Sequence, residues 1–230
     1  MNMNRLIKNH LRGIRSGFAA VMCVATLAGC SALVPVGVSS NVAARGPSIE
    51  SFPEHFVYRI DAHRYITIQG TKDCAGRIYF YNTQTGIRTA VATTGMAVGS
   101  GIFSGYYAAQ SEYVAIPAIG YSEISGPLLY VYYSYDGGKT FKRFLAGGYG
   151  GERDVVILDG KNLYFGANSS DPSEGIYQAY LMDVSHDIAT GDDHFAIRSE
   201  RPEIEPSRVP VKLKSPSGET RWTCSASPRD

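Results

Sequence analysis

The chain has 230 residues, a formal net charge of +1 at pH 7, 44% hydrophobic residues and 19% charged residues. These values are typical of a folded domain and exclude a wholly disordered chain, and the near-zero charge does not favour a nucleic-acid-binding protein. Sixteen Tyr, nine Phe and 25 Gly against one Trp favour β-strands joined by tight turns over a helical bundle.

Residues 1–29 are typical of a secretory signal peptide. Basic residues without any acidic residue precede an apolar run from Gly17 to Ala28, which is too short for a transmembrane helix. The run ends in Leu27-Ala28-Gly29-Cys30, which resembles the lipobox of bacterial lipoproteins. This resemblance implies cleavage before Cys30, a lipid anchor on that cysteine and, because Ser31 rather than Asp follows, sorting to the outer membrane. A plain signal peptide with a chance cysteine is the alternative.

Cleavage at this position leaves 18 basic and 21 acidic residues, and therefore no basic surface for nucleic acid. It also removes Cys23, and with Cys30 lipidated only Cys74 and Cys224 remain in an oxidising compartment. Two cysteines allow one intramolecular pair, so the sequence predicts a Cys74–Cys224 disulfide. Two buried free thiols are the alternative. A zinc site is not favoured, because neither cysteine has a Cys or His at zinc-finger spacing.

Residues 30–51 are small, contain Gly and Pro, and predict a lipidated flexible tether.

Residues 52–198 predict a β-rich domain, because short apolar or alternating segments are separated by turn sequences. The predicted strands are Phe56–Asp61, Tyr65–Gln69, Arg77–Asn82, Thr89–Ala92, Tyr113–Ile119, Leu128–Ser134, Thr140–Phe144, Asp154–Leu158, Asn162–Gly166 and Gly175–Asp183. This spacing indicates an all-β, antiparallel, propeller-like or sandwich-like meander, with a barrel as a further possibility. Short helical turns are expected near 99–105 or 184–190.

Residues 199–230 change in character, with four prolines between 202 and 216. Proline at this density excludes a central strand and predicts an extended C-terminal arm. Trp222 and Cys224 lie near its end, so we expect the arm to dock on the domain through the disulfide. A free tail is the alternative.

One hairpin sequence resembles the Asp-box, S-x-D-x-G-x-T-[WF], which occurs in sialidases and other propellers. Its fixed positions are Ser134, Asp136, Gly138, Thr140 and Phe141. The resemblance implies a turn tied together by Asp and Ser/Thr side chains, with the aromatic ring packed beneath it. We interpret it as structural, because a single Asp-box and a domain of this size fall well short of a six-bladed sialidase.

Polar residues that could form a site occur mainly in one segment. His186, Asp187, Asp192, Asp193 and His194 lie within nine positions, and their side chains are possible ligands for zinc or calcium. A polar surface loop is the interpretation adopted here. Asp61 and His63 are likewise assigned to a turn between two strands. The sequence contains neither G-x-S-x-G nor H-E-x-x-H, and we predict no catalytic residue, metal or cofactor.

Three segments are similar to the start of the Tli lipase-immunity lipoproteins of type VI secretion systems. They are Val57–Tyr65, Cys74–Tyr81 and Thr85–Ile87, and the lipobox and single Asp-box agree with them. The resemblance covers Ser51 to Asp183 and implies a non-enzymatic periplasmic protein that binds a phospholipase effector. It would block the active site of that lipase or its approach to the membrane. No set of contact residues can be transferred.

A cell-envelope lipoprotein that recognises glycan or serves assembly is the alternative function. If a toxin interface exists, loops are its expected source, since binding residues concentrate on loops held by a rigid scaffold. Gly147–Arg153 and Ser169–Glu174 are the candidate loops.

Overall fold

A computed structural model describes residues 48–71, 74–94, 102–171, 173–188 and 202–224. The predicted signal peptide, Cys30 and nearly all of the predicted tether lie outside the described residues. None of the described segments forms a helix long and apolar enough to cross a membrane.

The described residues form an all-β domain with three sheets. The N-terminal sheet is an antiparallel meander of four strands in sequence order: β1 (Glu54–Arg59), β2 (Arg64–Gly70), β3 (Gly76–Asn82) and β4 (Ile87–Thr94). Its strands place apolar side chains on the face that packs into the core. Among these side chains, Ile66, Ile68, Ile78 and Phe80 are fully buried. Burial of each such side chain stabilises the fold by about 1.5–3 kcal/mol.

The middle sheet contains three antiparallel strands, β6 (Val114–Ser122), β7 (Gly126–Ser134) and β8 (Lys142–Gly148). The Asp-box residues form the turn between β7 and β8. The strand predicted at Thr140–Phe144 is therefore displaced, because Thr140 belongs to the turn and β8 extends to Gly148.

The third sheet, here called the mixed sheet, has the order β12-β11-β10-β9-β5. Its strands are β5 (Tyr106–Gln110), β9 (Asp154–Asp159), β10 (Asn162–Asn168), β11 (Ile176–Asp183) and β12 (Glu203–Ile204). Strands β5 and β9 pair in parallel, from Tyr106 opposite Val155 to Gln110 opposite Asp159. The predicted all-β class is confirmed, and this parallel pair departs from the antiparallel pattern because the chain forms the middle sheet before it returns to pair with β5.

All ten predicted strands overlap an observed strand. Two observed strands were not predicted: β5, whose five residues do not alternate between apolar and polar, and β12, whose two residues pair at the edge of the mixed sheet. An edge position agrees with the proline content around β12. The described parts of the two expected helical turns, 102–105 and 184–188, contain no helix. Among the described residues, none of the three sheets closes on itself.

The C-terminal arm runs between β1 of the N-terminal sheet and β5 of the mixed sheet. Tyr107 donates its N–H to the carbonyl of Thr220 at 2.9 Å, and Thr223 donates to the carbonyl of Val57 at 2.9 Å. The Trp222 ring is buried, and it packs edge-on against the rings of Phe103 and Tyr107. The arm therefore joins the edge strands of two sheets, β1 and β5.

Cys224, near the end of the arm, lies beside Cys74, which is 150 positions earlier in the chain. The Cα atoms of the two cysteines lie 5.8 Å apart, within the range of disulfide-bonded pairs. Cys74 follows β2 in a turn, where its N–H bonds the carbonyl of Thr71 at 3.0 Å. A bond here would attach the end of the arm to the N-terminal sheet.

Candidate functional site

Three polar side chains of the Asp-box hairpin, those of Ser134, Asp136 and Thr140, form hydrogen bonds within the turn. The Asp136 carboxylate accepts the N–H groups of Lys139 and Thr140 at 3.0 Å, and the Thr140 hydroxyl at 2.5 Å. The Ser134 hydroxyl donates to Asp136 at 2.7 Å and accepts the N–H of Gly138 at 2.8 Å. Burial opposes the charge of Asp136, but the bonds from Thr140 and its neighbours lower the pKa of this carboxyl to about 2.

The same hairpin attaches the middle sheet to the N-terminal sheet. The Phe141 ring packs edge-on against Phe80 with 6.0 Å between centroids, and the Thr89 hydroxyl donates to the Gly138 carbonyl at 2.6 Å. Gly138 has a φ of 92°, and a Cβ there would lie 2.1 Å from the Phe80 ring. Glycine is required at this position, and the hairpin has a structural geometry rather than that of a reactive site.

The polar segment at the end of β11 is only partly described. His186 lies 3.8 Å from the Asp183 carboxylate, and Asp187 forms an ion pair with Lys142 and accepts the Tyr133 hydroxyl at 3.1 Å. Asp192, Asp193 and His194 lie outside the described residues. In the described part of the chain, no group of three or more His, Cys, Asp or Glu residues could hold a metal ion.

Asp61 and His63 lie in the turn between β1 and β2, as the sequence indicates. The Asp61 carboxylate accepts the N–H groups of His63 and Arg64 at 2.8 Å and the Arg64 guanidinium at 2.6 Å. Burial disfavours its charge, but these bonds hold the pKa of Asp61 below its usual value. The carboxylate therefore stabilises the turn, which lies beside a depression of about 350 Å³.

A larger groove lies between the middle sheet and the mixed sheet, with a volume of about 560 Å³. Strands β7 to β11 each contribute to its walls. The described residues that line it are Leu129, Ala146, Gly147, Gly148, Asp154, Phe165, Gly166, Ala167, Tyr177, Gln178 and Tyr180. We refer to this site as the Asp154 groove, because Asp154 is the one charged residue among these eleven.

Asp154 is the first residue of β9, and only 3% of its surface is exposed. Its Oδ2 accepts the N–H of Gly150 at 2.8 Å, which closes the short 3-10 turn Gly151–Arg153. Burial raises the pKa of this carboxyl to about 6, and neither the Gly150 bond nor the nearby charge of Arg153 compensates. A buried carboxylate whose charge is stabilised by so few neighbouring groups is unusual at a residue that serves only the fold.

Both loops expected to contact a partner border this groove. Gly147–Arg153 contributes Gly147 and Gly148 to its wall and leads directly into Asp154. Ser169–Glu174 joins β10 to β11, whose residues Ala167 and Tyr177 line the opposite wall. The described acidic residues of this second loop, Asp171 and Glu174, are exposed. The Tyr177 side chain is 60% exposed.

The sequence indicated two candidate loops but did not indicate Asp154 as a site residue. Asp154 was assigned only to the start of a strand, and its burial depends on strands that are distant in sequence. One signal in the sequence could have indicated it. Four glycines between 147 and 151 precede the acid, and a Cβ on Gly150 would lie 2.8 Å from its Oδ1.

A model of one protein family, described as T6SS Tli3 immunity protein, matches residues 50–167. No curated protein matches the chain. The matched segment contains the complete N-terminal and middle sheets, the Asp-box hairpin, and Asp154 with its glycine-rich loop. It covers half of the chain and confirms the resemblance seen in the sequence. The chain therefore belongs to the Tli3 family of type VI secretion immunity proteins.

Proposed function

We propose that this chain is a lipid-anchored periplasmic immunity protein that binds a phospholipase effector and neutralises it without catalysis of its own. The observation that carries the proposal is family membership over residues 50–167, which also supply most of the Asp154 groove. A groove bordered by two loops and an exposed tyrosine has the chemistry of a protein interface, where Tyr is enriched.

The described polar clusters support inhibition by binding. The carboxylates of Asp61 and Asp136 are saturated by hydrogen bonds within their own turns. Asp187 is paired with Lys142. Binding alone is sufficient to neutralise a lipase, because an enzyme whose active site is covered by a partner is excluded from its lipid substrate.

A lipid on Cys30 would hold the domain where a phospholipase acts. The 22 residues from 30 to 51, if they behave as flexible coil, have a root-mean-square reach of roughly 25 Å. Confinement within that distance of the membrane raises the effective concentration of the inhibitor at the bilayer. The anchor also keeps the protein in the compartment that an incoming effector enters.

The first test is recovery of the partner. The tagged protein is captured from its producing strain, associated proteins are identified by mass spectrometry, and the candidate effector is purified. We expect a phospholipase that forms a one-to-one complex by calorimetry and loses its activity on phospholipid vesicles as the complex forms. A folded pair that does not associate, or recovery of envelope glycan and assembly proteins alone while the lipase is expressed, would reject the proposal.

The anchor is tested separately by Cys30→Ala, with Cys23→Ala as the matched control. We expect the first variant to leave the membrane fraction and the second to remain there. Retention of Cys30→Ala would reject lipidation but would leave the immunity function intact.

A further inference from the structure

The Asp154 carboxylate is buried with one hydrogen bond and no ion pair among the described residues. Gly150 donates its N–H to Oδ2 at 2.8 Å. Transfer of a carboxylate out of water is costly unless it is paired and well hydrogen-bonded. Among the described residues, one backbone N–H is the only hydrogen-bond donor that offsets this cost.

The two charged residues that precede Asp154 in the chain, Glu152 and Arg153, contact other groups. The Arg153 guanidinium donates through Nε to the Gly150 carbonyl at 3.4 Å, and Arg153 is exposed. Glu152 faces Arg221 of the C-terminal arm, with 3.9 Å between their charged atoms. No described lysine or arginine lines the groove.

The space beside the carboxylate is kept open by glycine. A Cβ on Gly150 would lie 2.8 Å from Oδ1 and 3.6 Å from Cγ of Asp154, so any larger residue would crowd the acid. The volume of about 560 Å³ accommodates a long side chain.

The aromatic wall suits the same kind of side chain. Phe165 and Tyr180 stack with 5.3 Å between centroids, and Tyr177 lies at the mouth with 60% of its surface exposed. Aromatic faces attract cations and also pack against the aliphatic stems of Lys and Arg. The exposed acids Asp171 and Glu174 on the neighbouring loop add negative charge near this wall.

We propose that the Asp154 groove binds a cationic side chain, arginine or lysine, presented by the effector, and that Asp154 is its counter-ion. This inference rests on the proposed function, because the effector supplies the cation. The partner thereby provides a further hydrogen bond and an opposite charge, which the described residues lining the groove do not supply. Tyr177 covers the stem of the inserted side chain.

The inference is tested with the purified effector and three variants of the full chain. Asp154→Asn keeps the shape and an oxygen for the Gly150 N–H but removes the charge. We expect it to raise the dissociation constant at least tenfold, since loss of one member of a buried ion pair leaves the other charge unpaired. Tyr177→Ala should also weaken binding. Tyr121→Ala is the matched control, because Tyr121 is 48% exposed on β6 outside the groove, and it should bind like the parent protein.

A small probe tests the groove without the effector. N-acetyl-arginine amide should cause a saturable shift of the Gly150 amide resonance in the parent protein and none in Asp154→Asn, with N-acetyl-norleucine amide as the uncharged control. Equal responses in the two proteins, or none in either, overturn the inference.

The two proposals fail in different ways. If the parent protein binds the effector and Asp154→Asn binds it within twofold, the groove inference is overturned and the immunity function stands. If the parent protein does not bind the effector, the immunity function falls and the effector is excluded as the source of the cation, while the probe titration still decides whether the groove binds a cationic side chain. Chemical modification of effector arginines and lysines in the complex, read by mass spectrometry, should find one residue protected by the parent protein and exposed with Asp154→Asn.

Discussion

The hydroxyl oxygen of Tyr58 lies 2.7 Å from the Oγ of Ser215, although 157 positions separate the two residues in the chain. The same hydroxyl lies 2.7 Å from the carbonyl oxygen of Glu219 and 3.1 Å from that of Tyr107. Ser215 in turn accepts the N–H of Ala109 at 2.7 Å. One buried tyrosine on β1 thus connects the N-terminal sheet, the C-terminal arm and β5.

Removal of this hydroxyl should destabilise the protein without changing its fold. Tyr58→Phe leaves the buried groups of Ser215 and Glu219 without one partner, so we expect the free energy of unfolding to fall by about 1–3 kcal/mol. Urea unfolding measures the loss. Tyr121→Phe is the control, since its side chain is half-exposed and the change should stay within about 0.5 kcal/mol. Equal stability of the two variants would contradict the connecting role of Tyr58.

The Cys74–Cys224 pair should contribute more to stability than any single hydrogen bond. A crosslink across 150 residues restricts the unfolded chain, and the chain-entropy relation gives roughly 5 kcal/mol for a loop of this length. We expect the double variant Cys74→Ser/Cys224→Ser to lose stability of that order, and reductant to reproduce the loss in the parent protein. Peptide mapping without reduction checks the bond itself. Free thiols at both positions would contradict it.

The Asp-box carboxylate should make stability depend on pH in the acid range. Asp136→Ala removes a charged acceptor of several hydrogen bonds, and we expect a loss of about 2 kcal/mol at pH 7. The pKa of Asp136 is near 2 in the folded protein against an ordinary value of 3.8. The contribution of the Asp136 charge to the free energy of unfolding is therefore fully present above about pH 4. It disappears as the pH falls toward 2.

Unfolding of both proteins across this pH range tests the assignment. The exposed Asp159, at the end of β9, is the matched control, and Asp159→Ala should change stability by less than about 0.5 kcal/mol. A stability difference between the parent protein and Asp136→Ala that stays constant from pH 5 to pH 2 would show that the carboxylate charge has no part in the turn.

Local sequence predicted the features that local chemistry determines. The Asp-box hairpin is an example, because its bonds join residues at most four positions apart. Strand β5 escaped prediction because Tyr106–Gln110 is buried by pairing with β9, which lies more than forty residues later. Asp154 escaped for the same reason, since its environment comes from five strands. The prolines, Trp222 and Cys224 indicated a docked C-terminal arm. They did not indicate its contact with β5, because the sequence did not predict that strand.

The charge of Asp154 should have opposite effects on stability and on binding. The pKa of Asp154 is about 6 in the folded protein against an ordinary value of 3.8, so the folded state holds a proton that the unfolded state releases between these values. Stability consequently falls as the pH rises from about 4 to 6 and stays lower above that range. Arg153 favours the charged form but does not outweigh burial.

Asp154→Asn removes this penalty, because the amide is neutral at every pH in the range. We expect the free variant to be more stable than the parent protein at pH 7.5 by on the order of 1–3 kcal/mol, with the difference closing as the pH falls from 6 to 4. Urea unfolding at pH 7.5, 6, 5 and 4 measures it. If Asp154→Asn is more stable than the parent protein and binds the effector more weakly, the carboxylate serves binding at a cost to stability. If Asp154→Asn is instead less stable at every pH, the charge serves the Gly150 turn, and its burial needs no partner to explain it.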